Sequence, residues 1–224
     1  MTYNSYQYAL SLQLREARDR EDFVVGESNK DAITWIDKYP NWQNNGLIIV
    51  GPKSSGKSHL VKVWQKSSSC SIVKSEDIDK ENKNLLDSEN IAIEDFHNVS
   101  NFHFLLHLFN YKSEKKCKLL LTSRLRISEI DIRLKDIKSR LTTLPQAFIL
   151  MPTDDVIKGI LYKLFKDKGV ILNEDIIKFI LMRTERTYMA VNKLANDANR
   201  ISLQRKKKIT IPLIREIIEK NINI

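Results

Sequence analysis

The run Leu47-Ile48-Ile49-Val50-Gly51-Pro52-Lys53-Ser54-Ser55-Gly56-Lys57-Ser58 joins an apolar strand-like segment to the pattern G-x-x-x-x-G-K-S. That pattern is the phosphate-binding P-loop. Its glycines let the backbone curl so that successive N–H groups point at phosphate oxygens. Lys57 adds a point charge near the terminal phosphates, and the Ser58 hydroxyl is suited to Mg²⁺. His59-Leu60-Val61-Lys62-Val63-Trp64 continues without a breaker, which predicts a helix whose positive N-terminus meets the phosphates. A chance Gly/Ser turn would need neither the strand before nor the helix after. The stretch therefore predicts binding of a nucleoside triphosphate or diphosphate.

Outward from the loop, the pattern is one of short apolar runs alternating with helix-compatible sequence. Ile72-Val73, Ile91-Ala92-Ile93, Leu119-Leu120-Leu121 and Phe148-Ile149-Leu150-Met151 are the runs that follow the P-loop strand. Such alternation predicts an α/β domain with a mostly parallel sheet. Before the loop, Ala32, Trp35 and Ile36 recur at helical spacing, and Pro40 and Asn44-Asn45-Gly46 lead into the strand. Beyond Pro152 the character changes. Segments 153–168, 173–183, 186–204 and 212–220 all carry helical apolar spacing, so the C-terminal third is expected to be a small all-helical unit. The expected division is an arm over 1–13, a nucleotide-binding base over 14–151 and a helical lid over 152–224.

Composition sets the outer bounds. A chain of 224 residues with 42% hydrophobic and 29% charged residues buries a substantial core. No apolar run has the length of a membrane span, and Met1-Thr2-Tyr3-Asn4-Ser5 lacks the basic and apolar segments of a signal peptide. Cys70 and Cys117 stand apart from any metal-ligand spacing, so reduced thiols in a cytoplasmic setting are expected. The 37 basic against 28 acidic residues leave a formal charge of +9, which favours nucleic acid or an acidic protein as partner. Arg205-Lys206-Lys207-Lys208 reads first as a solvated turn, with contact to DNA phosphates as the functional alternative. His103 and His107 lie four apart on an expected helix, but no Cys or acidic residue completes a metal site there.

A P-loop requires an acidic site on a neighbouring strand to hold the metal and polarise water. Ile91-Ala92-Ile93-Glu94-Asp95 supplies it, with Glu94 as metal ligand alongside Ser58 and Asp95 as the second acid. Leu119-Leu120-Leu121-Thr122-Ser123-Arg124 is a further strand with hydroxyls at its tip, expected between the two phosphate-binding elements. Arg140, within Lys138-Ser139-Arg140-Leu141, is placed where an arginine can be offered to a neighbour's nucleotide.

With these residues in view, the chain resembles the DnaA/Hda-type AAA+ family. The resemblance rests on Asp22-Phe23-Val24-Val25-Gly26-x-Ser28-Asn29, Gly56-Lys57-Ser58-His59-Leu60 and Lys138-Ser139-Arg140-Leu141, and it covers residues 10 to 224. It implies an AAA+ base and lid, with Phe23, Val24, Val25, His59 and the P-loop residues Gly51 to Ser58 around the nucleotide. Arg186, in Arg186-Thr187-Tyr188-Met189, is implied as the lid's sensor arginine. The helicase-contacting and helix-turn-helix domains of the initiator DnaA are not expected in a sequence that ends at Ile224. Hda-like regulators also carry a short peptide that docks on the DNA-polymerase sliding clamp. Gln7, Tyr8, Leu10 and Leu12 resemble it: spaced apolar anchors after a glutamine, on what is expected to be a flexible arm.

Two departures from the family fall on hydrolysis. Glu94-Asp95 stands where DnaA has Asp-Asp, and Arg124 where it has a strand-tip Asp. Slow turnover in cis is expected, with Arg140 acting on a partner's ATP. The implied function is regulation of replication initiation through the sliding clamp and the initiator DnaA; a second copy of the chain is a further candidate neighbour. The alternatives are a nucleic-acid-dependent ATPase of the helicase-loader kind and a catalytically inactive nucleotide-binding adaptor.

Overall fold

The computed structural model describes residues 23–222. Helix α1 (Lys30–Asp37) precedes strand β1 (Gly46–Val50), and helix α2 (Lys57–Ser68) follows the P-loop. Then come β2 (Ser71–Lys74), α3 (Ser75–Asp79), β3 (Ile91–Glu94), α4 (Phe102–Glu114), β4 (Leu119–Ser123), α5 (Lys135–Thr143) and β5 (Gln146–Phe148). The strands form one sheet in the order β2-β3-β4-β1-β5, parallel throughout. The P-loop strand therefore runs between β4 and β5, and β4 separates it from the acidic strand β3.

Why the central strands read as unbroken apolar runs is clear from their two faces. Along β1, Ile48 and Val50 point into one core with Ile91, Ile93, Leu119 and Leu121, against α4 and α5. Leu47 and Ile49 point into the other, with Ala92, Leu120, Trp64 and the α1 residues Ala32 and Ile36. A strand covered by helices on both faces has no solvent side to carry polar residues. Helix α4 starts at a side-chain cap, Asn101 accepting from the Phe104 N–H at 3.0 Å, and presents Phe104, Leu105 and Leu108 to the sheet. Its outer face carries His103 and His107, both exposed.

The last strand differs from the expectation. β5 spans Gln146–Phe148 and not 148–151. Ile149 still donates to the Val50 carbonyl at 2.8 Å, but Leu150 donates to Ser28 O at 2.7 Å, off the sheet. Leu150 and Met151 are exposed, at 59% and 54%. Apolar sequence there belongs to the chain's exit toward the lid.

The lid comprises α6 (Asp154–Lys166), α7 (Glu174–Arg183), α8 (Tyr188–Arg205) and α9 (Ile211–Ile222). Its own core unites Ile157, Leu161, Phe165, Ile177, Leu194 and Ile214. The α8–α9 turn is tied by Arg205, which grips Glu216 through two bonds of 2.6 and 2.7 Å. Those bonds, with Lys220 second, hold the Glu216 carboxyl down at about 2. Lys206, Lys207 and Lys208 lie exposed beyond it. Two lid residues, Val156 and Tyr188, are buried in the base's core rather than the lid's. Among the described residues, no helix is long and apolar enough to cross a membrane.

Candidate functional site

The loop after β1 is shaped by residues at positive φ, Ser54 at 63° and Gly56 at 93°. Only glycine fits at 56: a Cβ there would lie 2.7 Å from the Phe23 ring. At Gly51 a Cβ would stand 2.8 Å from the Ile149 Cβ and 3.0 Å from Ser55 Oγ. The Ser55 hydroxyl is itself buried and has no protein partner. Lys57, only 7% exposed, donates from Nζ to the carbonyls of Gly51 and Pro52 at 2.8 and 2.9 Å. Burial lowers its pKa, with Asp95 and Glu94 pulling the other way and Arg124 adding to the fall. The loop thus holds a desolvated cation beside a concave backbone, the preorganised form of an anion site.

Strand register brings the charged tips together. Val50 pairs with Ser123 across β1 and β4, and Ile93 with Leu121 across β3 and β4. Glu94 closes β3, and its Oε1 is buried without a hydrogen-bond partner. Asp95 turns into the left-handed region at φ 49°, its N–H donating to Thr122 Oγ1 at 3.1 Å. The Ser123 hydroxyl is likewise engaged, donating to Leu125 O at 2.6 Å and accepting from Leu125 N–H at 2.9 Å. Both tip hydroxyls are therefore engaged by backbone groups, Ser123 as donor and acceptor and Thr122 as acceptor. Arg124 is the tip residue that stands among the charges, with Nε 3.8 Å from Asp95 Oδ1 and its N–H 3.4 Å from His97 Nδ1. Burial lowers the His97 pKa, partly opposed by Asp95. His97 follows β3, and the β3–β4 register is what brings it beside Arg124.

The metal reading can be tested on these groups. A hard cation at a P-loop takes one hydroxyl and one carboxylate from the protein, the rest coming from phosphates and water. An exposed Ser58 and the orphaned Glu94 oxygen meet that need, and such a cation would neutralise the phosphates. Among the described residues no group of three or more His, Cys, Asp or Glu forms a self-sufficient metal site.

Between base and lid lies a cleft of about 150 Å³. Its base wall is Phe23, Val24, Ser54, Ser55, Gly56 and His59; its lid wall includes Ile160, Lys163, Tyr188 and Asn192. Phe23 and His59 face each other at 5.5 Å between ring centroids. The segment ahead of α1 is pinned by Asn29, which accepts from the Gly26 N–H at 2.9 Å and donates to Val24 O at 2.8 Å. Val25 packs into the core behind the cleft. A buried bond of 3.1 Å between Ser28 Oγ and Tyr188 OH joins this segment to the lid. Tyr188 entered the sequence reading only within the run quoted for Arg186, and Asn192 had no signal beyond its i, i+4 spacing from Tyr188 on one helix.

Other expected residues lie apart from the cleft. Arg186 is paired with Asp154 at the start of α6, Nε to Oδ1 at 2.8 Å, and this bond holds the Asp154 carboxyl below its usual range. Arg140 lies on α5 in an ion pair with Asp136, at 3.4 Å. Lys53 is exposed on the loop. Gln7, Tyr8, Leu10 and Leu12 fall outside the described residues.

A parallel sheet in this order, a P-loop sequence after its interior strand β1 and a helical lid define the AAA+ fold. Domain III of the replication initiation protein DnaA from Thermotoga maritima superposes with a TM-score of 0.76, at 18% identity over 90% of this chain and 95% of that one. AMPPCP-bound DnaA from Aquifex aeolicus gives 0.67 at 17% identity, over 78% of this chain and 62% of that one. The Thermotoga maritima RuvB Holliday junction branch migration motor gives 0.63 at 14%, over 78% and 61%. These likenesses establish the fold. Residues 157–218 match the family model of the Hda lid domain. The lid is therefore of the Hda type, on a base whose fold is that of AAA+ proteins.

Proposed function

We infer that the protein is an Hda-like regulator of replication initiation, which binds ATP or ADP with Mg²⁺ in the base–lid cleft and acts on the initiator DnaA. The Hda-type lid over residues 157–218, set on a base with a preorganised P-loop, is the observation that carries this reading. Within the chain, Gly51 to His59 cradle the phosphates, and Ser58 with Glu94 hold the metal. Phe23 and Val24 line the base side of the cleft. Arg186, exposed in its pair with Asp154 and outside the cleft lining, is the lid arginine to be offered to the nucleotide once that pair opens.

Arg140 serves the partner. Its side chain is 41% exposed, on a helix that contributes nothing to the cleft lining, so it is available to a neighbouring subunit. Offered to DnaA-bound ATP, a guanidinium neutralises charge that develops on the transferring phosphoryl group, an effect on the order of a thousandfold or more. Docking of Gln7, Tyr8, Leu10 and Leu12 on the sliding clamp would confine the protein to replicating DNA, in the cytoplasm. A second reading, an adaptor that binds nucleotide without turning it over, is favoured by the Arg124–Asp95 pair, which occupies the second acid.

The test is hydrolysis of DnaA-bound ATP with clamp-loaded DNA. Wild-type protein should accelerate it, and Arg140→Ala should remove the acceleration while its own nucleotide affinity stays unchanged. Acceleration that survives Arg140→Ala would defeat the finger assignment, and none in the wild type would leave the adaptor.

A further inference from the structure

The lid carries a second concavity, distinct from the nucleotide cleft. It has a volume of about 420 Å³ and is bounded by the end of α7, the start of α8 and α9, with Met189, Ala190, Leu194 and Ile218 as its apolar lining. Met189 is 52% exposed, and methionine repacks readily around a guest. The volume is in the range that accepts a few anchoring side chains. The chain itself holds a guest close by. Phe23, the first described residue, lines the cleft together with Tyr188 and Asn192 of α8. Met189 and Lys193, each one position further along the same helix, line the lid groove. One position is a turn of about 100°, so the two faces lie about 10 Å apart around the helix. Residues 1–22 precede Phe23, and within them Tyr8, Leu10, Leu12 and Leu14 alternate with Ala9, Ser11 and Gln13. In extended form that pattern presents its four large side chains to one side. Leu14 stands nine residues ahead of Phe23, a tether of up to about 30 Å and well beyond the distance required. A tether that short gives an effective concentration on the order of millimolar, so an affinity of about 0.1 mM fills the groove about nine-tenths of the time. A second copy of the chain has no such advantage.

We propose that residues 8–14 dock in the lid groove of their own chain and are thereby withheld from other partners. The regulatory consequence rests on the clamp docking proposed above and deepens it. Leu10 and Leu12 cannot occupy the groove and the clamp together, so the lid competes with the clamp for the same anchors.

Methyl-labelled methionine makes the groove visible in the full chain, which has four methionines, Met189 among them. A nitroxide on Ser11→Cys, in a Cys117→Ser background with Cys70 buried, should remove most of the Met189 methyl signal from NMR spectra. Adding Leu10→Asp and Leu12→Asp should restore it, and these changes leave the lid sequence intact. A Met189 signal that keeps its intensity would overturn the proposal. So would equal broadening when nitroxide and isotope are on different chains, which would assign the groove to a second copy. Capture on immobilised sliding clamp tests the consequence separately. Met189→Glu, which spoils the groove and spares the segment, should tighten capture by about tenfold, the factor by which about nine-tenths docking weakens it. Unchanged capture would overturn the competition. A clamp captured by neither protein would defeat the clamp reading alone, with the groove assignment decided by the NMR result.

Discussion

Glu94 and His97 show what burial does to single side chains at the end of β3. The Glu94 oxygen that lacks a partner is costly to leave so, because a buried acceptor forfeits its hydration. A cation shared with a bound nucleotide would remove that cost. Glu94→Gln should therefore leave metal-free nucleotide affinity near wild type and abolish most of its enhancement by Mg²⁺, measured by titration with and without chelator. An enhancement that persists would assign the metal elsewhere. His97 titrates below its ordinary value because burial disfavours the imidazolium. As pH falls through the unfolded value of about 6.5, the unfolded chain takes up a proton that the native site resists, so stability declines toward acid. Denaturant melts across that range should show a slope that His97→Gln flattens; an unchanged slope would place its origin elsewhere.

Among the elements, the contact between the segment ahead of α1 and the lid organises the cleft. A Cβ at Gly26 would lie 2.3 Å from Val156 Cγ2 on α6, so Gly26→Ala forces Val156 or the segment ahead of α1 to shift. Overpacking of this kind costs about 1–3 kcal/mol, and Val156→Ala should recover much of it in the double variant, as read by chemical denaturation. Additive losses would mean that the two residues do not meet. None of this contact was legible in the sequence: Ser28 and Tyr188 are 160 residues apart, and nothing local announces their bond. The turn after β1 and the helix behind it were legible, because the left-handed Gly56 and the unbroken run from Lys57 are contiguous in the chain. So were the two-faced strands, whose apolar runs leave no room for a solvent side. The end of β5 was misjudged for the converse reason. Ile149-Leu150-Met151 is as apolar as a buried strand, yet it is the exit toward the lid, where local composition does not report pairing.

For the whole molecule, the proposed clamp docking by residues 7–12 and nucleotide binding in the cleft should be separable functions. Replacing Gln7, Leu10 and Leu12 with alanine should weaken capture on immobilised sliding clamp severely, each buried leucine being worth on the order of 1–3 kcal/mol. Nucleotide affinity should be untouched, and undiminished capture would make the motif a coincidence. Binding at the P-loop is upstream of every regulatory role considered for this fold. It is measured most directly by equilibrium titration of the purified chain with ADP and ATP, beside a Lys57→Ala variant checked for folding, since bound nucleotide also stabilises the native state. Saturable binding to the wild type, lost in Lys57→Ala because the loop's buried cation is gone, is the predicted result. Nucleotide affinity that is absent from the wild type, or equal in a folded Lys57→Ala variant, would contradict it.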